Sequence, residues 1–516
     1  MLDGEEILEL FAQTEVDPDW SFAECGPRQT GKLSHGYHRY PAKFIPQLVE
    51  RLFDLYLPNG ECGVRNGEWG MGNGECGVRN AEWGVGNVEC GVGNNSECRI
   101  PHSEIHVNDL FMGSGTTIAC AIARGYRASG TDINYAAALI TRVKATPIEP
   151  GYLAERIQAV TMDLLALDTS RTLPLWPPAQ RLRCLIPQVS LARINYWFDP
   201  ATRDELGFIL GRISAEPDEH VRDFLLCCFS HILKTVSRWD MGSTKPIRDR
   251  NKRPVPPFTV FLAHLRRMMR GNLALWKVVP PAVRQNPTAY LNIKRGDARQ
   301  QPVEDNSVDL QVTSSPYVTS YEYADLHQLT TLWLAPDAAR NMREYRRQFI
   351  GTGSVKPPVT SHKSQVTNPH SEIAARIVEA MEPRDPRVAA EIRAYFADMQ
   401  ECFQETARIL KPGARCCYVI GNTTLRGVEI LNAQAFAEGL QLAGLELERV
   451  IKREIPVKIL PTVRDAATGR FASCAKADAR AYPTEFIVIG RKPVTSRQSP
   501  APCDLQPVTC DLRPET

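Results

Sequence analysis

The sequence predicts an α/β fold, in which strands and helices alternate along the chain. The clearest unit begins with EIHVNDLF at 104–111, a short apolar run typical of a buried strand. A glycine turn follows, then the helical pattern TTIACAIARGY at 116–126 and a second strand, ASGTDI, at 128–133. Strand, turn, helix and strand in this order indicate a unit of α/β type.

Strand patterns return later in the chain. LNIKRGDA at 291–298 and SVDLQVTSSPY at 307–317 contain the short apolar runs expected of buried strands. Near the end, ARCCYVIGN at 414–422, AFAEGLQLAGLEL at 435–447 and EFIVIGRK at 485–492 predict a strand, a helix and a strand. The α/β core is therefore predicted to consist of separated pieces of the chain.

The composition is that of a globular protein. Of 516 residues, 43% are hydrophobic and 23% are charged, which excludes wholesale disorder. The net charge of +2 means that any basic surface must be local. The sequence contains no apolar run of about 18 residues, so it does not predict a membrane span. The acidic N-terminus does not resemble a secretory signal. We expect a cytoplasmic protein.

The fifteen cysteines do not form a metal-binding pattern. There is no Cys-x-x-Cys, and the adjacent pairs Cys227-Cys228 and Cys416-Cys417 lie in apolar runs. Such cysteines are typical of small buried side chains in a reducing compartment, so we expect no metal.

A seven-residue repeat occupies residues 59–98, with units such as NGECGVR and NGEWGMG. Each glycine in a helix costs about 1 kcal/mol, so this glycine-rich heptad does not favour a coiled coil. We expect a flexible insert whose removal leaves the fold intact.

These patterns divide the chain into eight segments. They are an N-terminal segment at 1–58 with a helix at 45–57, the repeat insert at 59–98, the first half of the core at 99–165, a helical and basic insertion at 166–290, the second half of the core at 291–335, a helical insertion at 336–400, closing strands and a helix at 401–492, and a loose tail at 493–516.

The glycine turn DLFMGSGTT at 109–117 is a candidate ligand site. Its glycines let the backbone approach a ligand where a strand turns into a helix. It lacks the third glycine of a dinucleotide motif, and no Gly-Lys-Ser/Thr follows, which disfavours NAD and P-loop binding. Asp132 ends the second strand, where a carboxylate can accept both ribose hydroxyls of an adenosine. The alternative for Asp132 is a solvated turn residue.

The second candidate site is TSSPY at 313–317. At the end of a strand, Tyr317 could stack on a planar base while Ser314 accepts a hydrogen bond from an amino group. The alternative is a serine-rich turn ahead of a core tyrosine.

Together with HGYHRYPAKF at 35–44, the two motifs resemble those of the bacterial DNA amino-methyltransferases. This family methylates cytosine N4 or adenine N6; its turn D-P-F-x-G-S-G-T-T binds S-adenosylmethionine, and its loop Ser/Asp/Asn-Pro-Pro-aromatic holds the target base. The similarity covers 31–57, 99–145, 291–335 and 401–492. It implies a Rossmann-like methyltransferase sheet with helices on both faces, S-adenosylmethionine as cofactor and double-stranded DNA as partner. A companion restriction endonuclease is a further partner that the resemblance allows.

The resemblance implies roles for the matching residues. Those expected to line the cofactor are Asp109, Phe111, Gly113, Ser114, Gly115 and Thr116, with Asp132 on the ribose, Asp297 on the adenine amino group, and Pro41, Lys43 and Phe44 in the flanking segment. Those expected in the catalytic loop are Ser314, Ser315, Pro316 and Tyr317.

The chain departs from the family pattern at two positions. Leu110 replaces a proline in the turn, which is a mild change. Ser315 replaces the first proline of the loop, which adds about 0.4–1 kcal/mol of flexibility and one more N–H to satisfy. We expect weakened rather than abolished activity.

The resemblance also implies the chemistry. Hydrogen bonds from the target amine to the Ser314 hydroxyl and the Ser315 carbonyl would make its nitrogen more nucleophilic toward the sulfonium methyl, and the base must first be flipped out of the duplex. Serine at the head of the loop favours cytosine N4. Adenine N6, an RNA base, a glutamine amide, and a DNA- or cofactor-binding relic remain alternatives.

Local basic sequence predicts the DNA contacts. The segment 245–270 contains eight Lys or Arg and one Asp, with a solvated helix face as the alternative. The candidates are Lys245, Arg248, Arg250, Lys252 and Arg253, and then Arg340, Arg343, Arg346 and Arg347.

Overall fold

The computed structural model describes residues 1–40, 45–58, 104–172, 183–243, 245–253, 255–318, 322–353, 371–455, 463–464, 479–480 and 484–494. The repeat at 59–98 lies outside these residues, as do the tail beyond 494 and three predicted site residues, Pro41, Lys43 and Phe44.

Helices and strands follow the predicted alternation. The helices are α1 (Gly4–Gln13), α2 (Pro27–Thr30), α3 (Pro46–Tyr56), α4 (Thr116–Ala123), α5 (Tyr135–Ala145), α6 (Pro150–Thr172), α7 (Leu191–Trp197), α8 (Pro200–Ser214), α9 (Glu219–Val236), α10 (Pro257–Val278), α11 (Pro281–Gln285), α12 (Tyr323–Leu326), α13 (Gln328–Leu334), α14 (Pro336–Arg340), α15 (Met342–Arg347), α16 (Glu372–Met381), α17 (Pro386–Ile409) and α18 (Asn432–Leu442). The strands are β1 (His106–Asp109), β2 (Arg127–Asp132), β3 (Leu291–Arg295), β4 (Val308–Ser314), β5 (Leu410–Ile420), β6 (Thr423–Leu425), β7 (Val428–Ile430), β8 (Glu446–Glu454), β9 (Val463–Arg464), β10 (Ala479–Arg480) and β11 (Thr484–Arg491).

A seven-stranded sheet in the order β3-β2-β1-β4-β5-β11-β8 forms the centre of the molecule. The first five strands are parallel, and β11 runs antiparallel between β5 and β8. The predicted α/β class is confirmed. The order reverses between β1 and β4, and such a reversal places a ligand crevice at the carboxyl ends of these two strands.

Side chains of β5 alternate between the two faces of the sheet. Cys416 and Tyr418 pack with α1, α16, α17 and α18, whereas Cys417 and Val419 pack with α3 and α4. Helices therefore cover both faces, as expected for a Rossmann-like methyltransferase sheet. Both cysteines are fully buried, because neighbouring residues of a strand with two covered faces each reach a core.

Between β2 and β3 the chain forms a helical body that packs against α5. Its core contains residues of α6, α7, α8, α9 and α10, together with α13. The stacked rings of Trp197 and Trp239, with centroids 5.1 Å apart, lie in it. Its first helix begins at Pro150, earlier than the predicted boundary at 166. Cys227 and Cys228 of α9 are fully buried and not in a disulfide.

The sequence patterns did not predict the edge strand β8. After residue 401 they predicted only a strand, a helix and a second strand. The residues of β8, ELERVIKRE, are mostly charged and partly exposed, so the apolar signal of a buried strand is weak. Among the described residues, no helix is long and apolar enough to cross a membrane.

Candidate functional site

The carboxyl ends of β1, β2, β3 and β4 open into one cleft of about 870 Å³, including its open mouth. That size suits a ligand larger than an amino acid. The predicted residues that line the cleft are Phe111, Gly113, Ser114, Thr116, Asp132, Asp297, Ser314, Pro316 and Tyr317. The glycine turn and the TSSPY loop, far apart in sequence, therefore face the same space.

The backbone of the glycine turn closes tightly at the end of β1. Gly113 has a φ of +46°, which favours glycine, and its N–H donates to Asp132 Oδ2 at 3.0 Å. A Cβ on Gly113 would lie 3.3 Å from the ring of Tyr40, so a side chain there would crowd the cleft. The turn is thus held to β2 through the carboxylate that the sequence predicts to bind ribose.

Two residues predicted to line the cofactor lie behind the cleft instead. Gly115, with a φ of +70°, is the N-cap of α4, and a Cβ there would lie 2.6 Å from Thr141 Oγ1 on α5. Asp109 is 1% exposed; its Oδ1 accepts from the Thr313 hydroxyl at 2.8 Å and from the Phe111 N–H at 3.2 Å. Burial raises the pKa of Asp109 to about 7. Both residues shape the turn and do not face the ligand space.

The start of α4 is tied to its surroundings by side chains that the sequence analysis did not single out. Lys144 on α5 is fully buried, and its Nζ donates to the carbonyl oxygen of Ser114 at 2.6 Å. The hydroxyl of Thr117 donates to the carbonyl oxygen of Val312 on β4 at 3.1 Å. These bonds fix the turn relative to α5 and β4.

The carboxylate of Asp132 faces the cleft with acceptor capacity remaining. Its Oδ1 accepts from the Asn134 N–H at 2.8 Å, and each oxygen keeps a free lone pair for a ligand hydroxyl. Burial raises the pKa of Asp132 to about 6. The group is therefore ionised at neutral pH and protonated in mild acid.

Asp297, two residues after the end of β3, is held by an arginine. Arg299 Nη2 donates to Asp297 Oδ2 at 2.6 Å and Arg299 Nε donates to Oδ1 at 3.0 Å, while Arg299 Nη1 pairs with Asp398 at 2.6 Å. Despite partial burial, these bonds lower the pKa of Asp297. The carboxylate predicted to meet an adenine amino group is thus ionised and fixed in position.

The loop after β4 is held from two sides. Tyr395 on α17 donates from its hydroxyl to the carbonyl oxygen of Pro316 at 2.8 Å. A Cβ on Gly351 would approach the carbonyl oxygen of Tyr317 to 3.0 Å, and one on Gly421 would lie 3.4 Å from the Tyr317 ring. The loop that would hold a base is therefore closely packed.

Ser315 is the one member of the predicted catalytic loop that does not line the cleft. It is 2% exposed, and its hydroxyl has no hydrogen-bond partner among the described residues. A buried hydroxyl without a partner is destabilising by about 1–3 kcal/mol. The serine in place of proline thus adds an unsatisfied polar group as well as flexibility.

Aromatic residues that the sequence analysis missed complete the wall of the cleft. They include Tyr40, Tyr323 and Phe349. Tyr40 could have been found because it precedes Pro41 in the flanking motif. Tyr323 and Phe349 carry no local signal, since only the folding of the chain after β4 brings them to the cleft.

Several residues predicted to contact DNA are engaged within the protein. Lys252 Nζ donates to the carbonyl oxygens of Lys234 and Trp239, both at 2.8 Å, and Arg248 lies over the ring of Tyr196. Arg346 pairs with Asp325 at 2.6 Å and Arg347 pairs with Glu344 at 3.2 Å. These contacts hold loops and helices together and reduce the charge available to a partner.

The other lysine and arginine residues that were predicted to contact DNA have exposed side chains. They are Lys245, Arg250, Arg253, Arg340 and Arg343. Within the part of the chain that the structure describes, no group of three or more His, Cys, Asp or Glu side chains could hold a metal ion.

Comparison with known proteins gives one relative that spans most of the chain. The type II methyltransferase M.MvaI of Kocuria varians is 22% identical over 442 residues, which cover 84% of this chain and 86% of the relative. No protein-family profile matches the chain.

Solved structures match only in part. A protein of Thermus thermophilus described as a candidate DNA modification methylase is 15% identical and matches over 38% of this chain and 51% of its own, with a TM-score of 0.17. The cyclase SpnF is 14% identical and matches over 43% and 63%, with a TM-score of 0.19. These TM-scores are too low for either structure to support an assignment of fold or function. The relative that spans most of this chain confirms the resemblance to the DNA methyltransferases that the two sequence motifs predict.

Proposed function

We propose that this chain is a DNA methyltransferase that transfers the methyl group of S-adenosylmethionine to an exocyclic amino group, and that its target is cytosine N4. The observation that carries the proposal is the shared cleft, in which the turn at Gly113 and the loop from Ser314 to Tyr317 face each other. A methyl group can pass directly between two ligands only if their sites adjoin.

The residues of the cleft fit S-adenosylmethionine. Asp132 offers carboxylate oxygens to the ribose hydroxyls, and Asp297 offers an ionised carboxylate to the adenine amino group. Gly113 and Tyr40 both line this part of the cleft, and the missing side chain of Gly113 lets the Tyr40 ring lie close to the turn. Bound there, S-adenosylmethionine would supply a sulfonium methyl group as electrophile.

The loop residues would bind and orient the target base. Tyr317 offers a ring for stacking, and the hydroxyl oxygen of Ser314 can accept a hydrogen bond from the amine. Accepting that bond draws the proton away from the nitrogen and increases its nucleophilicity. The bond from Tyr395 to Pro316 keeps these groups in place, so positioning and electrostatics supply the catalysis.

We choose cytosine N4 over adenine N6 because the loop begins with a serine. The resemblance to the family associates a serine at this position with cytosine N4. The similarity to a type II methyltransferase supports a role in restriction-modification, for which a companion endonuclease is the expected partner. A second candidate, a weakened enzyme or a binding relic, is favoured by the unsatisfied hydroxyl of Ser315.

Incubation with methyl-labelled S-adenosylmethionine and duplex DNA, followed by digestion to nucleosides, tests the proposal. We expect label in N4-methylcytosine. Label in N6-methyladenine would contradict the choice of base, and cofactor binding without any label transfer would support the relic. A Ser314→Ala variant, which retains the cofactor side of the cleft, is the control and should bind S-adenosylmethionine while transferring little label.

A further inference from the structure

Four histidines lie close together behind the wall of the cleft that Tyr40 forms. The Tyr40 ring stacks on His327 with centroids 4.7 Å apart, and His327 lies 6.3 Å from His38. His38 is in turn 5.4 Å from His231, which stacks on His264 at 3.7 Å. The histidine cluster thus connects the cleft with α9 and α10 of the helical body.

Hydrogen bonds fix the segment before Tyr40 against α9. His38 Nδ1 donates to the carbonyl oxygen of Arg39 at 2.8 Å, so its Nε2 is the acceptor for the Ser230 hydroxyl at 2.9 Å. The hydroxyl of Thr330 lies 2.7 Å from that of Ser230 and completes the chain. The backbone of Arg39 is therefore held in place while its side chain is exposed.

The histidines are neutral. Burial, together with nearby positive charges, lowers the pKa of His38 to about 3 and that of His264 to about 4. The cluster therefore contributes no positive charge at neutral pH, and cations can gather around it.

Besides the buried Lys144, whose charge also acts on His38, three cations lie around the cluster. Lys234 lies one turn after Ser230 and His231 on α9, and Arg267 lies one turn after His264 on α10. Arg39 is the third. The side-chain charges that act on His264 are those of Arg267 and Arg39, and the charge that acts on Lys234 is that of Arg39.

None of these three cations has a carboxylate partner among the described residues. Elsewhere in the helical body arginines are paired, for example Arg238 with Asp199 at 2.9 Å and Arg156 with Glu216 at 2.7 Å. Like charges that converge on a partly buried surface repel each other unless an anion joins them. Such a surface is suited to phosphate.

We propose that Arg39, Lys234 and Arg267, here called the Arg39 patch, bind the phosphate backbone of the DNA strand whose base enters the cleft. The patch adjoins the cleft because Arg39 is the direct neighbour of Tyr40 in the chain. It also joins the basic segment 245–270 predicted from sequence, because Arg267 belongs to that segment and Lys252 donates to the carbonyl oxygen of Lys234. Arg250 and Arg253, which lie within two residues of Lys252 in the chain, are exposed and extend the basic segment. The proposal rests on the proposed function.

The test is duplex binding by the full-length protein as a function of salt. The affinity for a fluorescein-labelled duplex is measured by anisotropy at several NaCl concentrations for the wild type, Arg39→Gln, Arg267→Gln and the double variant. Each lost phosphate contact lowers the slope of log K against log salt by about 0.9. We expect a fall of about one unit in each single variant and about two in the double variant, with unchanged affinity for S-adenosylmethionine.

Arg127→Gln is the matched control, because Arg127 is exposed at the opposite end of β2 from the cleft; its slope should equal that of the wild type. If the wild type binds duplex DNA and the double variant has the same slope of log K against log salt, the Arg39 patch does not bind phosphate. That result would leave the proposed function intact. A wild-type chain that binds S-adenosylmethionine but no DNA at any salt concentration would contradict the proposed function. Patch-dependent binding to RNA and not to DNA would overturn the choice of DNA.

Discussion

The hydroxyl of Tyr395 donates a hydrogen bond of 2.8 Å to the carbonyl oxygen of Pro316. Tyr395 is 1% exposed and belongs to α17, whereas Pro316 follows β4 and lines the cleft. Ser315 lacks the restraint on φ that a proline would provide at that position. The bond from Tyr395 fixes the chain one residue later, so α17 replaces part of the lost rigidity.

We predict that Tyr395→Phe lowers kcat more than it changes KM for S-adenosylmethionine. The variant keeps the ring and loses the hydroxyl, so the loop gains freedom while the cofactor side of the cleft is intact. Because displacement of a reacting group by 1 Å can lower a rate by about 100-fold, we expect a fall of roughly tenfold. Steady-state kinetics with a methyl-labelled cofactor measure it.

Tyr418→Phe is the control for this change. Tyr418 is buried in the same core, and its hydroxyl lies 2.7 Å from that of Thr406, away from the loop. Both variants should lower the free energy of unfolding by about 1 kcal/mol, but only Tyr395→Phe should lower kcat. An equal loss of kcat in both would assign the effect to general loosening of the core.

Ser315→Pro should raise both turnover and stability. The change removes a buried hydroxyl without a partner and restricts the unfolded chain, which stabilises by about 0.4–1 kcal/mol for the backbone alone. Ser315→Ala removes the hydroxyl without restricting the backbone and separates the two effects. Turnover at or below the wild-type rate in Ser315→Pro would refute the prediction, and thermal unfolding reports the stability.

The affinity for S-adenosylmethionine should fall as the pH drops through about 6. Burial raises the pKa of Asp132 to about 6, so the carboxylate that would accept the ribose hydroxyls is ionised above this pH and protonated below it. Calorimetric titrations between pH 5 and pH 8 measure the change. Asp132→Asn should bind roughly 10- to 100-fold more weakly, the equivalent of about 1.5–3 kcal/mol, with a flat profile. If the affinity of Asp132→Asn still depends on pH, with a midpoint near 7, the titrating group is Asp109.

DNA affinity should fall as the pH rises above about 8. Burial, with Arg39 nearby, lowers the pKa of Lys234 to about 8. A bound phosphate favours the charged amine, so binding is strongest below this pH and weakens as Lys234 loses its proton. The neutral His38 and His327, and the aromatic ring of Trp239, also face Lys234 and do not titrate there. Lys234→Gln should remove the pH dependence between 7 and 9, and a variant that keeps it would refute the assignment.

Replacement of residues 59–98 by a short Gly/Ser linker should leave cofactor affinity and thermal stability nearly unchanged. The helix before the insert is held independently, because Arg124 on α4 pairs with Asp54 of α3 at 2.7 Å and also with Glu50. The core residues Leu48, Val49 and Leu52 of α3 pack on the same face of the sheet as Cys417 and Val419. A collapse in solubility or affinity would show that the repeat is structural.

Local patterns were sufficient to predict the core elements. The run EIHVNDLF, the glycine turn and the helix after it are encoded by neighbouring residues, and the structure has β1, the turn and α4 at these positions. The edge strand β8 was missed because its charged residues carry no apolar signal. The motifs also indicated which residues face the cleft, with Asp109, Gly115 and Ser315 as exceptions, because a motif does not specify which side of a turn a residue faces.

The sequence by itself determined the class of fold, the two motifs and the substitution at Ser315, since each depends on residues that are adjacent in the chain. Only the tertiary structure decided that α17 holds the loop through Tyr395, that Asp398 of α17 pairs with Arg299, and that Arg39, Lys234 and Arg267 converge beside the cleft. These relationships join segments that are up to hundreds of residues apart. No local spacing encodes them, because they depend on the order of the strands and on the packing of α9, α10 and α17 around the sheet.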